Sequence, residues 1–243
     1  MVRILFLGSH LRSFHCLRYL LTAVADVEVV AVVPHRRQPP IRDSQDVRSL
    51  AAAHGIPVLA FDQIAGLTYD LGISLLYDRI LPASIIARPA RGFINAHMAP
   101  LPRLRGVNGV LHAIRLARRD NCWSFGVTLH YLDAGIDTGP IIDLIEVPIF
   151  ADDLAEDLHA RASDRIFELF TRNIHRIVAS RTRVPATAQT GPAYVFRRKD
   201  VQEEIDLSAD PDDIYDTIRA LSFPGKGRPY ARIGRYRIFL SVV

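Results

Sequence analysis

The sequence predicts an α/β fold built on a doubly wound, mostly parallel sheet, with a small C-terminal α+β module. Three observations predict it. The runs Val2–Leu7 and Val27–Val33 are apolar on both faces, as strands covered on two sides must be. Stretches with helical spacing of apolar residues lie between the strand-like runs. After Asn121 the pattern changes to two longer strand-like runs and a long helix, followed from Arg181 by short pieces.

The first strand, Val2–Leu7, closes on Gly8-Ser9, and Leu11–Ala23 follows as a helix. Val27–Val33 is valine-rich and ends at Pro34, which cannot extend a central strand. Residues 43–54 show helical spacing up to Gly55, and residues 56–59 and 71–76 read as short strands. A helical turn at 84–87 precedes a strand ending in Phe93-Ile94-Asn95. Further on, 124–132 and 140–148 are strand-like around a turn from Asp133 to Gly139. Residues 153–180 form an amphipathic helix whose stripe includes Leu158, Ile166, Leu169, Phe170, Ile174 and Ile177. Residues 184–192 read as a linker, Pro211–Leu221 as a helix, and Tyr230–Ile233 with 236–242 as a terminal β-hairpin around Gly234. The expected division is a catalytic domain over 1–180 and an accessory module over 181–243.

Composition narrows the function classes. The 243 residues are 49% hydrophobic and 23% charged, which suits a globular core and excludes a disordered chain. The net charge of +4 is spread without a like-charge block, so no nucleic-acid partner is expected. Only Lys199 and Lys226 are lysines; the arginine excess fits genome composition as well as phosphate binding. Cys16 and Cys122 make neither a disulfide framework nor a zinc set, so a reducing cytoplasm and no metal are expected. The run Ile4-Leu5-Phe6-Leu7 is too short for a secretion signal, and Leu20 to Val33 is interrupted by Asp26 and Glu28, so no membrane partner is expected. Gly8-Ser9-His10-Leu11-Arg12 lacks the later glycines of a dinucleotide fingerprint, and no phosphate-cradling glycine loop is present.

Chemistry concentrates around three residues. Asn95 and His97 stand at i and i+2 of a strand end and so share a face. An amide donates to a developing oxyanion, and an imidazole two residues away gives or takes a proton. Asp137, in a glycine-flanked turn, is a carboxylate able to approach that imidazole. Taken singly, each has a plain structural explanation: a turn-satisfying Asn, a core His, a turn Asp. Together they suggest acyl transfer to a nucleophile supplied by the substrate.

The ordered blocks Phe93-Ile94-Asn95-Ala96-His97, Leu101-Pro102-Arg103-Leu104-Arg105-Gly106, Phe125-Gly126-Val127-Thr128-Leu129-His130 and Gly135-Ile136-Asp137-Thr138-Gly139-Pro140-Ile141-Ile142 resemble the folate-dependent formyltransferase family. Tyr77-Asp78-Arg79-Ile80-Leu81-Pro82 and the opening strand extend the likeness over about residues 1–180. One departure is His97-Met98-Ala99-Pro100-Leu101-Pro102, where the family commonly carries a His-x-Ser-Leu-Leu-Pro run, so the loop beside the histidine is differently shaped. The resemblance implies a Rossmann-like catalytic domain and 10-formyltetrahydrofolate as formyl donor. It places the pterin against Arg79, Ile80 and Leu81 and against Asp133, Ala134, Gly135, Ile136 and Asp137, largely through backbone groups. Asn95, His97 and Asp137 become the catalytic set, with no covalent enzyme intermediate.

Within that family the tail resembles the small C-terminal part of sugar-nucleotide N-formyltransferases, through Tyr194-Val195-Phe196-Arg197-Arg198, Ile205-Asp206, Ile214 to Leu221 and Phe223-Pro224. The competing reading of the tail is a packing appendage or a dimerisation hairpin. The resemblance implies a nucleotide-linked amino sugar, such as a 4-amino-4,6-dideoxyhexose, as acceptor, and a homodimeric enzyme of surface-polysaccharide or lipopolysaccharide assembly. Ser9, His10 and Arg12 at the first strand end, with Arg197 and Arg198 for a diphosphate, are the candidate substrate-binding residues; an exposed surface role competes for the two tail arginines. Methionyl-tRNA formylation is the alternative activity.

Overall fold

The computed structural model describes residues 1–35, 46–225 and 227–242. A six-stranded sheet has the order β2-β1-β3-β4-β6-β7, formed by β1 (Val2–Leu7), β2 (Val27–Val33), β3 (Leu71–Leu75), β4 (Phe93–His97), β6 (Ser124–Tyr131) and β7 (Ile141–Pro148). β1 pairs in parallel with β2 and β3, β3 pairs in parallel with β4, and β4 meets β6 antiparallel. The chain therefore winds outward in two directions from β1 and β3, which creates a crevice at their carboxyl ends.

Burial explains the apolar strands. Ile4, Leu5, Phe6 and Leu7 are fully buried, as are Ala31, Val32, Val33, Leu71, Ile73 and Leu75. Each large aliphatic or aromatic side chain removed from water contributes about 1.5–3 kcal/mol. Gly72 on β3 has a specific reason to lack a side chain, because a Cβ there would lie 2.1 Å from the Phe93 ring on the neighbouring strand. The missing side chain lets Phe93 lie over the β3 backbone and pack edge-on to Tyr69.

Helices α1 (Leu11–Ala23) and α2 (Val47–Ala53) pack against β2 and each other. Asp46 caps α2, its carboxylate accepting from the Arg48 N–H at 3.1 Å. The start of the expected 43–54 helix lies outside the described residues. Residues 56–59 do not form the expected strand. They make a single parallel bridge, Val32 to Val58, because the 3-10 turn Phe61–Gly66 begins immediately after them. The one-turn helix α3 is Ala83–Ile86, and α5 runs over Ala155–Ala179.

The chain forms two compact units, each drawn from three stretches of sequence. One contains residues 1–97, 127–145 and 164–190; the other contains 98–126, 146–163 and 191–243. The tail segment is thus only one of three pieces in the second unit. There β5 (Leu104–Gly106) pairs in parallel with β8 (Tyr194–Phe196), a long-range contact that no local periodicity announces. This second unit also holds α4 (Gly109–Ala117), whose apolar residues at 110, 113, 114 and 117 follow helical spacing. Helix α6 (Pro211–Leu221) starts with an Asp210 cap and Pro211 at its first position, as physics prefers. Ile205, Ile218 and Leu221 form its local core. Fully buried Arg219 donates from Nε to Asp216 at 2.8 Å and from Nη1 to the Asp153 carbonyl at 2.9 Å. Strands β9 (Tyr230–Ile233) and β10 (Tyr236–Phe239) pair as an antiparallel hairpin.

Candidate active site

Asn95 and His97 lie on β4, and the antiparallel register sets Asn95 opposite His130 and His97 opposite Thr128 on β6. Directly paired residues project to the same face, so four polar side chains converge from two strands. Thr128 and His130 are fully buried. Asp137 enters from the turn that follows β6. Its carboxylate lies between the two imidazoles: one oxygen is 3.7 Å from His97 Nδ1 and the other 3.8 Å from His130 Nε2.

The turn is built to hold that carboxylate. Asp133 accepts from the Gly135 N–H at 3.0 Å and from the Thr138 hydroxyl at 2.6 Å, closing an Asx-type turn. Asp137 itself takes φ +52°, a left-handed conformation that aspartate tolerates better than most residues. Two residues on, a Cβ at Gly139 would come within 1.8 Å of the Tyr131 carbonyl oxygen, so only glycine fits. The side-chain amide of Gln189 donates to the carbonyls of Asp137 at 2.8 Å and Gly139 at 2.7 Å, clamping the loop from outside.

Two site residues escaped assignment in the sequence. His130 stood inside a recognised block but received no role; its signal was the pairing partner, visible only once β6 is laid against β4. Gln189 lay in a segment read as linker, and its neighbour Thr187 in fact bridges Ile141. The environment of His130 is distinctive: burial above all, then the nearby His97, push its pKa well below that of an ordinary histidine. Its ring is therefore uncharged near neutrality.

The other expected contacts are dispersed. Ile80 and Ile136 expose apolar side chains, 78% and 41% accessible, whereas Leu81 is turned into the core beside Ile85 and Ile86. Arg79 lies with its guanidinium 4.8 Å from the Phe61 ring centroid, and Ala134 and Gly135 are exposed in the turn. Ser9 is buried, donates its hydroxyl to His35 Nδ1 at 2.6 Å and accepts from the His35 N–H at 3.1 Å. His35 Nε2 in turn donates to the Leu76 carbonyl at 2.7 Å, which fixes the tautomer. Arg12 is ion-paired with Asp164, so its charge is already matched. His10 remains exposed at the start of α1. Arg197 and Arg198 are exposed in the second compact unit, next to β8. Among the described residues no cluster of His, Cys, Asp and Glu has metal-binding geometry, and no helix is long and apolar enough to cross a membrane.

An amide, an imidazole and a carboxylate converging at the carboxyl end of a parallel strand form a site suited to acyl transfer, in a doubly wound α/β fold. The chain belongs to the formyl transferase family, whose model matches residues 2–174. A methionyl-tRNA formyltransferase of Symbiobacterium thermophilum is 30% identical over 258 residues, covering 100% of this chain and 77% of its own. Among solved structures, the N-formyltransferase from Helicobacter canadensis, in complex with folinic acid and dTDP-3-aminofucose, is 27% identical with a TM-score of 0.77, covering 92% of this chain and 81% of its own. The sugar 3N-formyl transferase WlaRD, solved with dTDP and 5-N-formyl-THF, is 26% identical with the same TM-score of 0.77, covering 92% and 80%.

Proposed function

We propose that this formyltransferase moves a formyl group from 10-formyltetrahydrofolate to the amine of a nucleotide-linked amino sugar. The observation that carries the chemistry is the Asp137 carboxylate 3.7 Å from His97 Nδ1, with Asn95 two residues away on the same strand face. When bound, the folate supplies an activated N-formyl carbon and a nitrogen leaving group. Asn95 and protonated His97 donate hydrogen bonds where negative charge develops on the carbonyl oxygen, a preorganised effect worth about 3–4 kcal/mol per donor. Asp137 stabilises the charged imidazole and receives the proton shed by the attacking amine, directly or through water, and a proton passes to the departing folate nitrogen as the old C–N bond breaks. The exposed side chains of Ile80 and Ile136 supply the apolar surface that a fused aromatic ring would cover.

The sugar acceptor is supported by two solved neighbours above 25% identity that match 92% of this chain, one a sugar 3N-formyl transferase and the other an N-formyltransferase solved with dTDP-3-aminofucose. Both involve a 3-amino position, so a dTDP-3-amino-dideoxyhexose joins the 4-amino sugars as a first acceptor to try. Methionyl-tRNA formylation is the second reading, favoured by the names of the sequence relatives. The reading extends to a homodimeric enzyme of the cytoplasm serving surface-polysaccharide assembly.

The experiment is formyl transfer from 10-formyltetrahydrofolate to a panel of dTDP- and UDP-linked 3- and 4-amino sugars and to charged initiator tRNA. Turnover with an amino sugar and none with tRNA is expected; turnover with tRNA alone rejects the sugar assignment. His97→Asn abolishes turnover while leaving the melting temperature in place. Unfolding of that variant would instead make His97 a core residue.

A further inference from the structure

His130 has no exposed side-chain surface, so it touches neither substrate nor folate. Its two ring nitrogens nevertheless have fixed roles. Nδ1 lies 2.8 Å from the Tyr131 carbonyl oxygen, which only accepts, so Nδ1 carries the hydrogen. In the uncharged ring, Nε2 is then a bare lone pair. That lone pair faces Asn95 Nδ2 at 3.1 Å. The contact closes only if the nitrogen end of the Asn95 amide, not its oxygen, points at His130.

We infer that His130 is a positioning residue that selects which way the Asn95 amide faces. The inference rests on the formyl-transfer reading for its consequence, but its geometry stands without it. An asparagine side chain presents two ends of similar shape and opposite polarity, and rotating it by half a turn exchanges donor for acceptor. With one N–H held on His130, the second is directed about 120° away and remains a donor for the site. The reversed amide would set its oxygen against the Nε2 lone pair and lose this bond. The reversal would also alter what the site presents to a developing oxyanion.

The direct cross-strand pairing of Asn95 with His130 explains why the clamp holds register: neither residue can shift along its strand without the other losing its partner. The Tyr131 carbonyl that sets the tautomer belongs to the next residue of β6 itself. The clamp therefore needs no loop and no ligand to assemble. Asp137 is arranged to leave it intact, since its nearer oxygen is 3.8 Å from Nε2, outside hydrogen-bond distance.

The decisive measurement uses the unaltered protein. Selective labelling of the asparagines and histidines with nitrogen-15 gives only four side-chain amides, at Asn95, Asn108, Asn121 and Asn173. A through-hydrogen-bond nitrogen–nitrogen coupling between Asn95 Nδ2 and His130 Nε2, with His130 in its Nδ1–H form, is expected near neutral pH. An Nε2–H tautomer, or no coupling, overturns the clamp whether or not the protein transfers formyl groups. Kinetics then test its use. His130→Met, which offers no acceptor, is expected to lower kcat roughly 100-fold with KM values for donor and acceptor within roughly threefold. His130→Gln, whose amide oxygen can accept from Asn95, is expected to recover at least about a tenth of the lost rate. Equal loss in both variants, or no loss in His130→Met, sinks the positioning role. A failure of the sugar reading appears differently, as absence of turnover in the unaltered enzyme while the coupling persists.

Discussion

The side-chain amide of Gln189 donates to the main-chain carbonyl of Asp137 at 2.8 Å, across 52 positions of sequence. A residue from the segment after the long helix thereby fixes the backbone that presents the site carboxylate. The same amide reaches Gly139 at 2.7 Å, so both of its hydrogens bind one turn. Gln189→Ala removes both bonds. A net loss of about 1 kcal/mol per bond is typical, so a small fall in melting temperature is expected. The larger effect falls on kcat, which should drop roughly tenfold as the carboxylate loses its fixed approach to His97. Steady-state kinetics beside a thermal melt separate the two; a large melt shift with unchanged kcat would make Gln189 purely structural.

Asp137 carries its charge at a backbone position that ordinary residues avoid, φ +52°. Asparagine tolerates that conformation and removes the charge, so Asp137→Asn tests electrostatics alone. Turnover should fall at least about 100-fold with little change in melting temperature. Asp137→Ala should lose as much activity and in addition about 1 kcal/mol of stability, because alanine is strained in the left-handed region. If Asp137→Asn keeps its activity, the carboxylate has no part in the chemistry.

Two buried histidines make stability depend on pH. Burial first, then the Arg115 charge, lowers His112 from 6.5 to about 4; the ring is 4% exposed and stacks 3.5 Å from Phe196. Burial lowers His130 as well. In the unfolded chain both titrate near their ordinary value, so between about pH 6.5 and 4 the unfolded state binds more protons. Stability is therefore full above that window and falls as pH drops through it. Melting temperatures at pH 4.5, 5.5 and 7 should rise in that order, and His112→Gln should flatten part of the rise. A profile unchanged by that substitution would show that His112 titrates normally.

Gly72 offers a test of the fold itself. A methyl group there would sit 2.1 Å from the ring of Phe93, which is wholly buried. Gly72→Ala should destabilise by several kcal/mol, within the upper range for overpacked cores. Gly72→Ala with Phe93→Leu should recover part of it by vacating the ring edge. Chemical denaturation of the single and double variants gives the coupling directly, and strict additivity would remove Phe93 as the cause.

Much of the sheet was legible before any coordinates. Val2–Leu7, Leu11–Ala23, Val27–Val33 and Pro211–Leu221 all form with the expected bounds. Local chemistry marks their ends: Gly8-Ser9 after β1, Pro34 after β2, Asp210-Pro211 before α6. Asn95 and His97 were legible because alternation along one strand places them on one face. Helix α4 was overlooked although its spacing is helical, since the proline-rich residues before it suggested irregular chain. The expected strand at 56–59 was reduced to one bridge, a matter of where the neighbouring 3-10 turn begins.

By itself the sequence determined the alternation of strands and helices, the two-sided burial of β1 and β2, and the residue types capable of acyl transfer. These follow from periodicities of two and 3.6 residues and from side-chain chemistry, which act over a few neighbours. Only the tertiary structure decided that Asn95 lies opposite His130, that Asp137 stands between two imidazoles and that Gln189 clamps its turn. It also decided that Ser9 is taken up by His35 and that the second compact unit draws on three separate stretches of chain. Those relations depend on antiparallel register and on hydrogen bonds spanning 26 to 52 residues. Partners that distant are selected by the fold as a whole, because only a packed core brings them into contact with each other.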